Sequence, residues 1–350
     1  MTTKKLSQLE LVILLALMFS AVAFSIDGML PSLPQIGLEL NSHNPTKSKG
    51  ILIYFMLGIG IGTLFVGPLS DCFGRKRLLL IGCFVYILCS LIAFYAPSLD
   101  LILLARIFQG MAAAAPRIVS QAVIRDLYSG RSMARIQSFV FLVFTLVPAI
   151  APLLGEQIMI WSGWRGIFFA FVCFGLLIFF WVGFRLQETL PVNKRIPLRL
   201  EFIIPKIQEI FSTKTVILSI LVLSFAYACI FCSITFIQPV FDLDFGRADQ
   251  FTLWFALIAL VSGTASILNA KLVMHLGMRK LVYITLRAQI FFSSITLIYF
   301  YYSPQNENLN FFIYLFWQWS IFFQTGIILG NLNAIAMEPL GHIAGLAASI

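Results

Sequence analysis

Ten apolar runs of about twenty residues each constrain the fold of this chain more than any other feature of its sequence. A helix of about twenty apolar residues is long enough to cross the hydrocarbon core of a bilayer. Charged residues make up 11% of the chain, against roughly 25% in soluble domains. The sequence therefore predicts an all-α integral membrane protein with spans at residues 11–30, 51–69, 78–96, 99–123, 139–161, 164–184, 216–241, 251–274, 281–302 and 311–336.

The positive charges are distributed unevenly among the segments between these runs. With the N-terminus in the cytoplasm, 17 of the 24 Lys and Arg residues face the cytoplasm and four face outward, while three lie inside the runs. Cytoplasmic loops of membrane proteins carry such an excess. Topology thus explains the formal net charge of +9, and we expect no nucleic-acid partner.

The segment between the second and third runs reads Gly67-Pro-Leu-Ser-Asp-Cys-Phe-Gly-Arg-Lys-Arg-Leu78. We expect Gly67 and Gly74 to let the backbone turn and pack closely, and Asp71 to pair locally in a turn that is otherwise basic and includes Arg75. The pattern G-x-L-x-D-x-x-G-R-K/R-x-L resembles the loop 2–3 signature of the major facilitator superfamily, in its drug:proton antiporter branch. Three further stretches resemble the bicyclomycin-resistance (Bcr/CflA) branch, at residues 125–130, 164–168 and 330–341.

The resemblance implies two six-helix bundles related by a pseudo-twofold axis. The stretch Gly277-Met-Arg-Lys280 follows its span as Gly74-Arg-Lys-Arg77 follows the second, at an offset of 203 residues, which fits a parallel repeat. We predict an N-terminal bundle at 1–186, a cytoplasmic linker with a possible interfacial helix at 187–215, and a C-terminal bundle at 216–350. Relatives have twelve spans, and an eleventh run here begins near Ile343 and reaches Ile350. We therefore expect about eleven spans, with the second bundle truncated within the eleventh.

Asp27 and Arg106 are ionisable residues inside apolar runs, where such groups are expensive and usually functional. At 1.5 Å per residue, Asp27 lies roughly 5 Å and Arg106 about 10 Å below the outer ends of their spans. We expect the two side chains to pair, because a pair avoids an uncompensated buried charge. The sequence Arg106-Ile-Phe-Gln-Gly110 also resembles the proton-coupling motif of the superfamily. The alternative for Asp27 is a helix-end residue that reaches water at the membrane surface.

Further candidates lie on the fourth and fifth runs. Arg117 could bind an anionic substrate or pair with a buried acid. Pro148, Pro152 and Gly155 resemble the antiporter motif of drug exporters, and the two prolines are expected to bend their helix. Other residues assigned to the substrate cavity are Gln109, Phe144 and Glu156. Asn269 and Arg287 are single polar groups in the runs of the second half, and snorkelling toward the membrane surface is the simplest interpretation of both.

The function predicted from this resemblance is proton-coupled efflux of drugs or small amphipathic compounds by alternating access. The chain lacks the G-x-x-x-x-G-K-[ST] sequence of ATP-driven proteins, so the proton gradient is the expected energy source. We expect no cofactor, no metal and no enzymatic activity. We expect a monomer in the bacterial cytoplasmic (inner) membrane whose partners are small molecules, protons and lipid. The alternatives are a transporter of one specific metabolite, such as an amino acid, and a truncated membrane protein that does not transport.

Overall fold

The computed structural model describes residues 7–41, 43–128, 130–195, 208–302 and 306–343. All regular secondary structure within these ranges is helical. The described residues form two compact units, 7–195 and 208–343. In the described ranges, nine helical segments are long and apolar enough to cross a membrane. The all-α membrane architecture predicted from the apolar runs is confirmed.

The first unit contains the helices α1 (Gln8–Asp27), α2 (Leu33–Leu40), α3 (Gly50–Phe73), α4 (Arg75–Tyr95), α5 (Leu99–Leu127) and α6 (Gly130–Arg185). Its core lies between α1, α4, α5 and α6. The core side chains are aliphatic or small, which suits close helix packing in a membrane. They include Leu14, Leu15, Met18, Leu79, Ala114, Val119, Val123 and Val182.

The first span continues well beyond Asp27. A 3-10 turn at Leu30–Ser32 joins α1 to α2, and the backbone at Gly28 and Leu33 has right-handed helical angles. The apolar segment therefore extends over Gln8–Leu40. The predicted end of the first span at residue 30 is wrong, since the same segment continues through Leu40, 13 residues beyond Asp27.

The turn between α3 and α4 consists of a single residue. Gly74 has φ 97° and ψ 154°, and helices end at Phe73 and restart at Arg75 on either side of it. The predicted turn at Gly67 is wrong, because Gly67 lies inside α3. The second unit has the equivalent turn at Gly277, with φ 76° and ψ 156°.

Glycines bring α3 and α5 into backbone contact. A Cβ atom on Gly58 would overlap the Ile107 carbonyl, and one on Gly110 would overlap the Phe55 carbonyl. Small residues at such positions allow membrane helices to approach closely. Arg106, one residue before Ile107, is held at this crossing.

The helix α6 is divided into two segments at Gly163. Its 56 residues would measure about 84 Å if they formed one straight helix, nearly three times the hydrocarbon thickness. Gly163 has φ 66° and ψ −178°, and it separates residues 130–162 from 164–185. The predicted fifth and sixth spans are therefore two helical segments, as expected. Helical angles continue through Pro148 and Pro152.

The second unit contains the helices α7 (Lys214–Pro239), α8 (Phe251–Ser262), α9 (Thr264–Leu276), α10 (Met278–Tyr301) and α11 (Glu307–Met337). Residues 208–212 form a short helical segment before α7. The rest of the predicted interfacial helix, and the predicted eleventh span beyond residue 343, lie outside the described residues. The boundaries assigned to the bundles and the linker stay a prediction.

Candidate functional site

Asp27 is a buried acid at the end of α1. It is the last residue of that helix, and it is 4% exposed. Within the described part of the chain, its carboxylate forms no hydrogen bond and no ion pair. The alternative of a helix-end residue that reaches water is wrong, because the segment through Leu40 covers this end of α1.

Arg106 is a completely buried cation that joins three helices. Its Nη2 donates to the Ser25 carbonyl of α1 at 2.8 Å, and its Nε donates to the Ile51 carbonyl of α3 at 3.1 Å. Its Nη1 donates to Gln109 Oε1 at 2.7 Å on its own helix α5. The guanidinium also lies 4.0 Å from the centroid of the Phe55 ring, a cation–π contact.

The expected ion pair between Asp27 and Arg106 is absent among the described residues. The guanidinium instead binds a helix end. The carbonyls of the last turn of a helix have no partner within the helix, and they carry a partial negative charge. The Ser25 carbonyl, two residues before Asp27, is one of these groups. Arg106 therefore stabilises the end of α1 that carries the acid without engaging the acid itself.

A chain of buried hydroxyl and amide groups continues from Arg106 to α4. Gln109 Nε2 donates to Ser90 Oγ at 2.6 Å, and Ser90 Oγ donates to the Tyr86 carbonyl at 2.7 Å. The Tyr86 hydroxyl lies 2.6 Å from Ser25 Oγ, which itself donates to Ala21. Both the oxygen and the nitrogen of the Gln109 amide therefore form hydrogen bonds within this network. Gln109, which was assigned to the substrate cavity, orients Arg106 instead.

The proline-containing segment of α6 abuts Asp27 through its glycine. A Cβ atom on Gly155 would overlap the carbonyl of Gly28, the residue after Asp27. Pro152 is buried, whereas Pro148 is partly exposed. The predicted antiporter segment is therefore in direct backbone contact with the end of α1. Side chains larger than glycine cannot enter this contact without separating the two helices.

Three further candidates are Glu156, Arg117 and Phe144. Glu156 is partly buried and follows Gly155. Arg117 is partly buried, eleven residues beyond Arg106 on α5, and its guanidinium forms no ion pair with any described residue. The side chain of Phe144 lies outside the part of the chain that the structure describes.

Two carboxylates fix both ends of the first span to the second segment of α6. At one end, Glu10 accepts hydrogen bonds at 2.7 Å from Nε and Nη2 of Arg185. At the other end, Glu39 accepts from Trp164 Nε1 and Arg165 Nη1, both at 2.7 Å. Bidentate and charge-assisted hydrogen bonds of this kind fix orientation as well as position.

A second polar cluster surrounds the turn at Gly74. Arg75 Nη1 lies 2.6 Å from Asp71 Oδ1, and Arg75 Nε lies 3.1 Å from Asp126 Oδ2 at the end of α5. Arg75 also donates to Ser70. The predicted local pairing of Asp71 is confirmed, and its partner Arg75 is 3% exposed. This cluster ties the ends of α3, α4 and α5 together.

Glu188 caps the first turn of α4. Its Oε1 accepts from the backbone N–H of Arg75 at 2.9 Å, and its Oε2 accepts from that of Lys76 at 3.2 Å. A carboxylate at a helix N-terminus satisfies free N–H groups and matches the helix dipole. Arg195 lies 3.8 Å from the same carboxylate. Glu188, at the start of the predicted linker, thus binds the two residues that follow the Gly74 turn.

We expect Gly74→Ala to lower the thermal unfolding midpoint of the purified protein more than Gly277→Ala does. Both glycines have backbone angles that strain other residues by about 1–3 kcal/mol. A Cβ atom on Gly74 would also lie 2.5 Å from Glu188 Oε2, whereas nothing lies within 4 Å of the equivalent position on Gly277. Equal shifts of the unfolding midpoint in the two variants would show that the contact of Glu188 with the Gly74 turn does not contribute to stability.

Several residues of these clusters were not identified from the sequence. Ser25, Tyr86 and Ser90 have ordinary polar side chains without a recognisable motif. The Glu188 contact with Arg75 joins residues 113 positions apart, and no local pattern reports such a contact. An available signal was an isolated acid directly before an apolar run, which Glu10 provides, whereas Glu39 lies nine residues after the end of the predicted first run.

Polar contacts in the second unit are fewer. Ser233 Oγ of α7 donates to Gln318 Oε1 of α11 at 2.7 Å. Asn331 Nδ2 of α11 donates to Asn269 Oδ1 of α9 at 2.6 Å. No described group of three or more His, Cys, Asp or Glu side chains could hold a metal ion. The densest buried polar network that the structure describes is therefore the one around Arg106.

Comparisons with known proteins agree with this architecture. Residues 13–350 match the family described as Major Facilitator Superfamily. A bicyclomycin resistance protein homolog of Haemophilus influenzae is 31% identical over 333 residues, which are 93% of this chain and 81% of that protein. A multidrug resistance protein MdtL of Shewanella oneidensis is 34% identical over 164 residues, 47% of this chain and 41% of that protein.

A similar fold is found among solved structures. The crystal structure of a D-xylose-proton symporter superposes with a TM-score of 0.68 at 15% identity, covering 97% of this chain and 87% of that one. At this identity the likeness concerns the fold alone.

Proposed function

The chain belongs to the major facilitator superfamily, and on this premise we propose that it exports drugs or similar small amphipathic compounds in exchange for protons. Two observations outside the site support the choice of substrate class: the similar proteins named for bicyclomycin resistance and for multidrug resistance. The observation that carries the proton coupling is the buried Asp27, which no hydrogen bond or ion pair engages among the described residues.

In this proposal, Asp27 binds and releases the transported proton. Burial disfavours the charged carboxylate, and contact with water or with a cationic drug favours it. Its protonation therefore changes when the site opens to one side of the membrane or receives a drug. Because no described residue pairs with the carboxylate, its protonation breaks no ion pair in the part of the chain that the structure describes. Each proton that moves inward down a membrane potential supplies about 2.3 kcal/mol per 100 mV.

Arg106 has a different role, as the residue that positions the end of α1. Its hydrogen bond to the Ser25 carbonyl fixes the backbone two residues before the acid. Gln109 and Phe55 hold the guanidinium in place. The protein chain thus supplies a fixed cation and one acid that is free to exchange its proton.

The proposed setting is the inner membrane of a bacterium, with the N-terminus in the cytoplasm and the protein acting as a monomer without a cofactor. The distribution of Lys and Arg supports this orientation. The basic turn that contains Gly74 and Arg75 then faces the cytoplasm. The cluster of Arg75, Asp71 and Asp126 would act there as a conformational latch at the inner ends of α3, α4 and α5.

The experiment that tests this function is proton flux in proteoliposomes loaded with a pH-sensitive dye. We expect proton movement when chemically varied amphipathic drugs are added under an imposed proton gradient, and none in protein-free vesicles. A response to one metabolite alone would indicate a specific metabolite transporter. Absence of any response, with folded protein confirmed in the vesicles, would indicate a protein that does not transport.

A further inference from the structure

Arg287 is an exposed arginine in the middle of a membrane-spanning helix. It lies nine residues after Met278, the first residue of α10, which corresponds to about 13 Å along the helix axis. Its guanidinium lies 4.1 Å from the centroid of the Tyr283 ring. Within the described ranges it forms no ion pair or hydrogen bond.

Arg287 belongs to a basic stripe on one face of α10. Arg279, Tyr283 and Arg287 follow one another at intervals of four residues, so they share a face, and Lys280 adjoins Arg279. All four side chains are exposed. Stacking on Tyr283 directs the Arg287 guanidinium toward the Met278 end of the helix, because Tyr283 lies one turn closer to that end. We call these four residues the basic stripe.

The chain offers little negative charge to neutralise the basic stripe. No acidic residue occurs in the sequence between Asp249 and Glu307. Two further basic or titratable residues, Lys271 and His275, are exposed on the preceding helix α9. Glu338, at the end of the antiparallel helix α11, is exposed and forms no ion pair with a described residue.

An unpaired guanidinium at this depth requires an anion. A charged side chain within the hydrocarbon is costly, and long basic side chains relieve the cost by reaching the interface. Arginine binds phosphate oxygens in a bidentate manner. The anion that such a side chain can reach along the whole perimeter of a membrane protein is the phosphate of a phospholipid headgroup, at the interface above it.

We propose that the basic stripe binds the headgroup of an anionic phospholipid in the leaflet that contains the Met278 end of α10. Arg279 and Lys280 contact the headgroup at the membrane surface, and Arg287 reaches the phosphate from below. Tyr283 packs between the two guanidiniums. This site is separate from Asp27 and does not depend on the proposed transport function.

The test is lipid retention by the purified full chain, reconstituted in mixtures of phosphatidylcholine and phosphatidylglycerol and analysed by native mass spectrometry. Each basic residue near an anionic surface contributes about 1 kcal/mol, or about fivefold in binding. We therefore expect Arg287→Gln to lower phosphatidylglycerol retention about fivefold, and Arg279→Gln with Arg287→Gln to lower it further. Arg287→Lys should retain most of the binding, because it keeps the charge.

The matched control is Arg125→Gln, which makes the same change at an exposed arginine at the end of α5. It should leave lipid retention unchanged. Thermal unfolding in pure phosphatidylcholine identifies any variant that fails to fold. Unchanged retention in the folded double variant would overturn the proposal. So would displacement of the lipid by inorganic phosphate, which indicates a soluble anion site, or a change of oligomeric state alone, which indicates a second copy on this face.

Discussion

Replacing Asp27 with Asn is expected to abolish drug-evoked proton release while leaving the binding of neutral compounds intact. The amide has nearly the same shape as the carboxylic acid, but it cannot take up or release a proton. The burial of Asp27 and the absence of any described partner mean that this substitution removes a titratable group without breaking a hydrogen bond. The measurement is the pH change in weakly buffered detergent solution when a drug is added.

The matched control for this prediction is Asp100→Asn. Asp100 is an exposed acid at the start of α5 whose carboxylate pairs with Lys47 at 2.9 Å. The control should release protons as the unmodified protein does. If the Asp27→Asn protein still releases protons with unchanged stoichiometry, another group carries the proton. Glu156, the residue after the Gly155 that abuts α1 at Gly28, would then be the acid to examine.

Arg106→Lys is expected to lower both thermal stability and transport severely. The three nitrogens of the guanidinium reach Ser25, Ile51 and Gln109, on three different helices. A lysine ammonium is a compact point charge that lacks the planar geometry of the guanidinium. It therefore cannot donate hydrogen bonds to the same three acceptors at once. Each buried acceptor that loses its donor costs about 1–3 kcal/mol. The unfolding midpoint in detergent and drug efflux in vesicles report the two effects.

Arg117→Lys provides the comparison for stability on the same helix. Arg117 is partly buried, and its side chain has no ion pair with a described residue. We therefore expect almost no shift in its unfolding midpoint. Equal midpoints for the Arg106→Lys protein and the unmodified protein would show that the carbonyl contacts contribute little. Retained transport in that variant would remove Arg106 from the proposed mechanism.

The sequence was sufficient for the family and the fold class. The apolar runs predicted membrane spans, and the loop between residues 67 and 78 predicted the superfamily; both predictions are confirmed. Such features are local, because a span requires only about twenty consecutive apolar residues. The turn at Gly74 was also predictable, since its backbone angles favour glycine.

The site could be predicted only in part. Asp27 and Arg106 were identifiable as charges inside apolar runs, but the partners of Arg106 were not. Two of these partners are backbone carbonyls, which every residue possesses and no sequence pattern marks. The continuation of the first segment through Pro31 and Pro34 was not predicted from the sequence. Proline is tolerated in the first turn of a helix, and both residues begin new helical turns here.

The hydrogen bonds of Glu10 and Glu39, which join the first span to the second segment of α6, affect the order in which the protein assembles during synthesis. The contacts of Glu39 join residues 125 and 126 positions apart, and those of Glu10 join residues up to 175 positions apart. The segment that contains Glu10 and Glu39 is synthesised before α6, so these contacts neutralise neither carboxylate until the second segment of α6 has been inserted. Contacts between distant parts of a chain form late, because closing the intervening loop has an entropic cost. The N-terminal unit thus completes its assembly only when its last helix arrives beside its first.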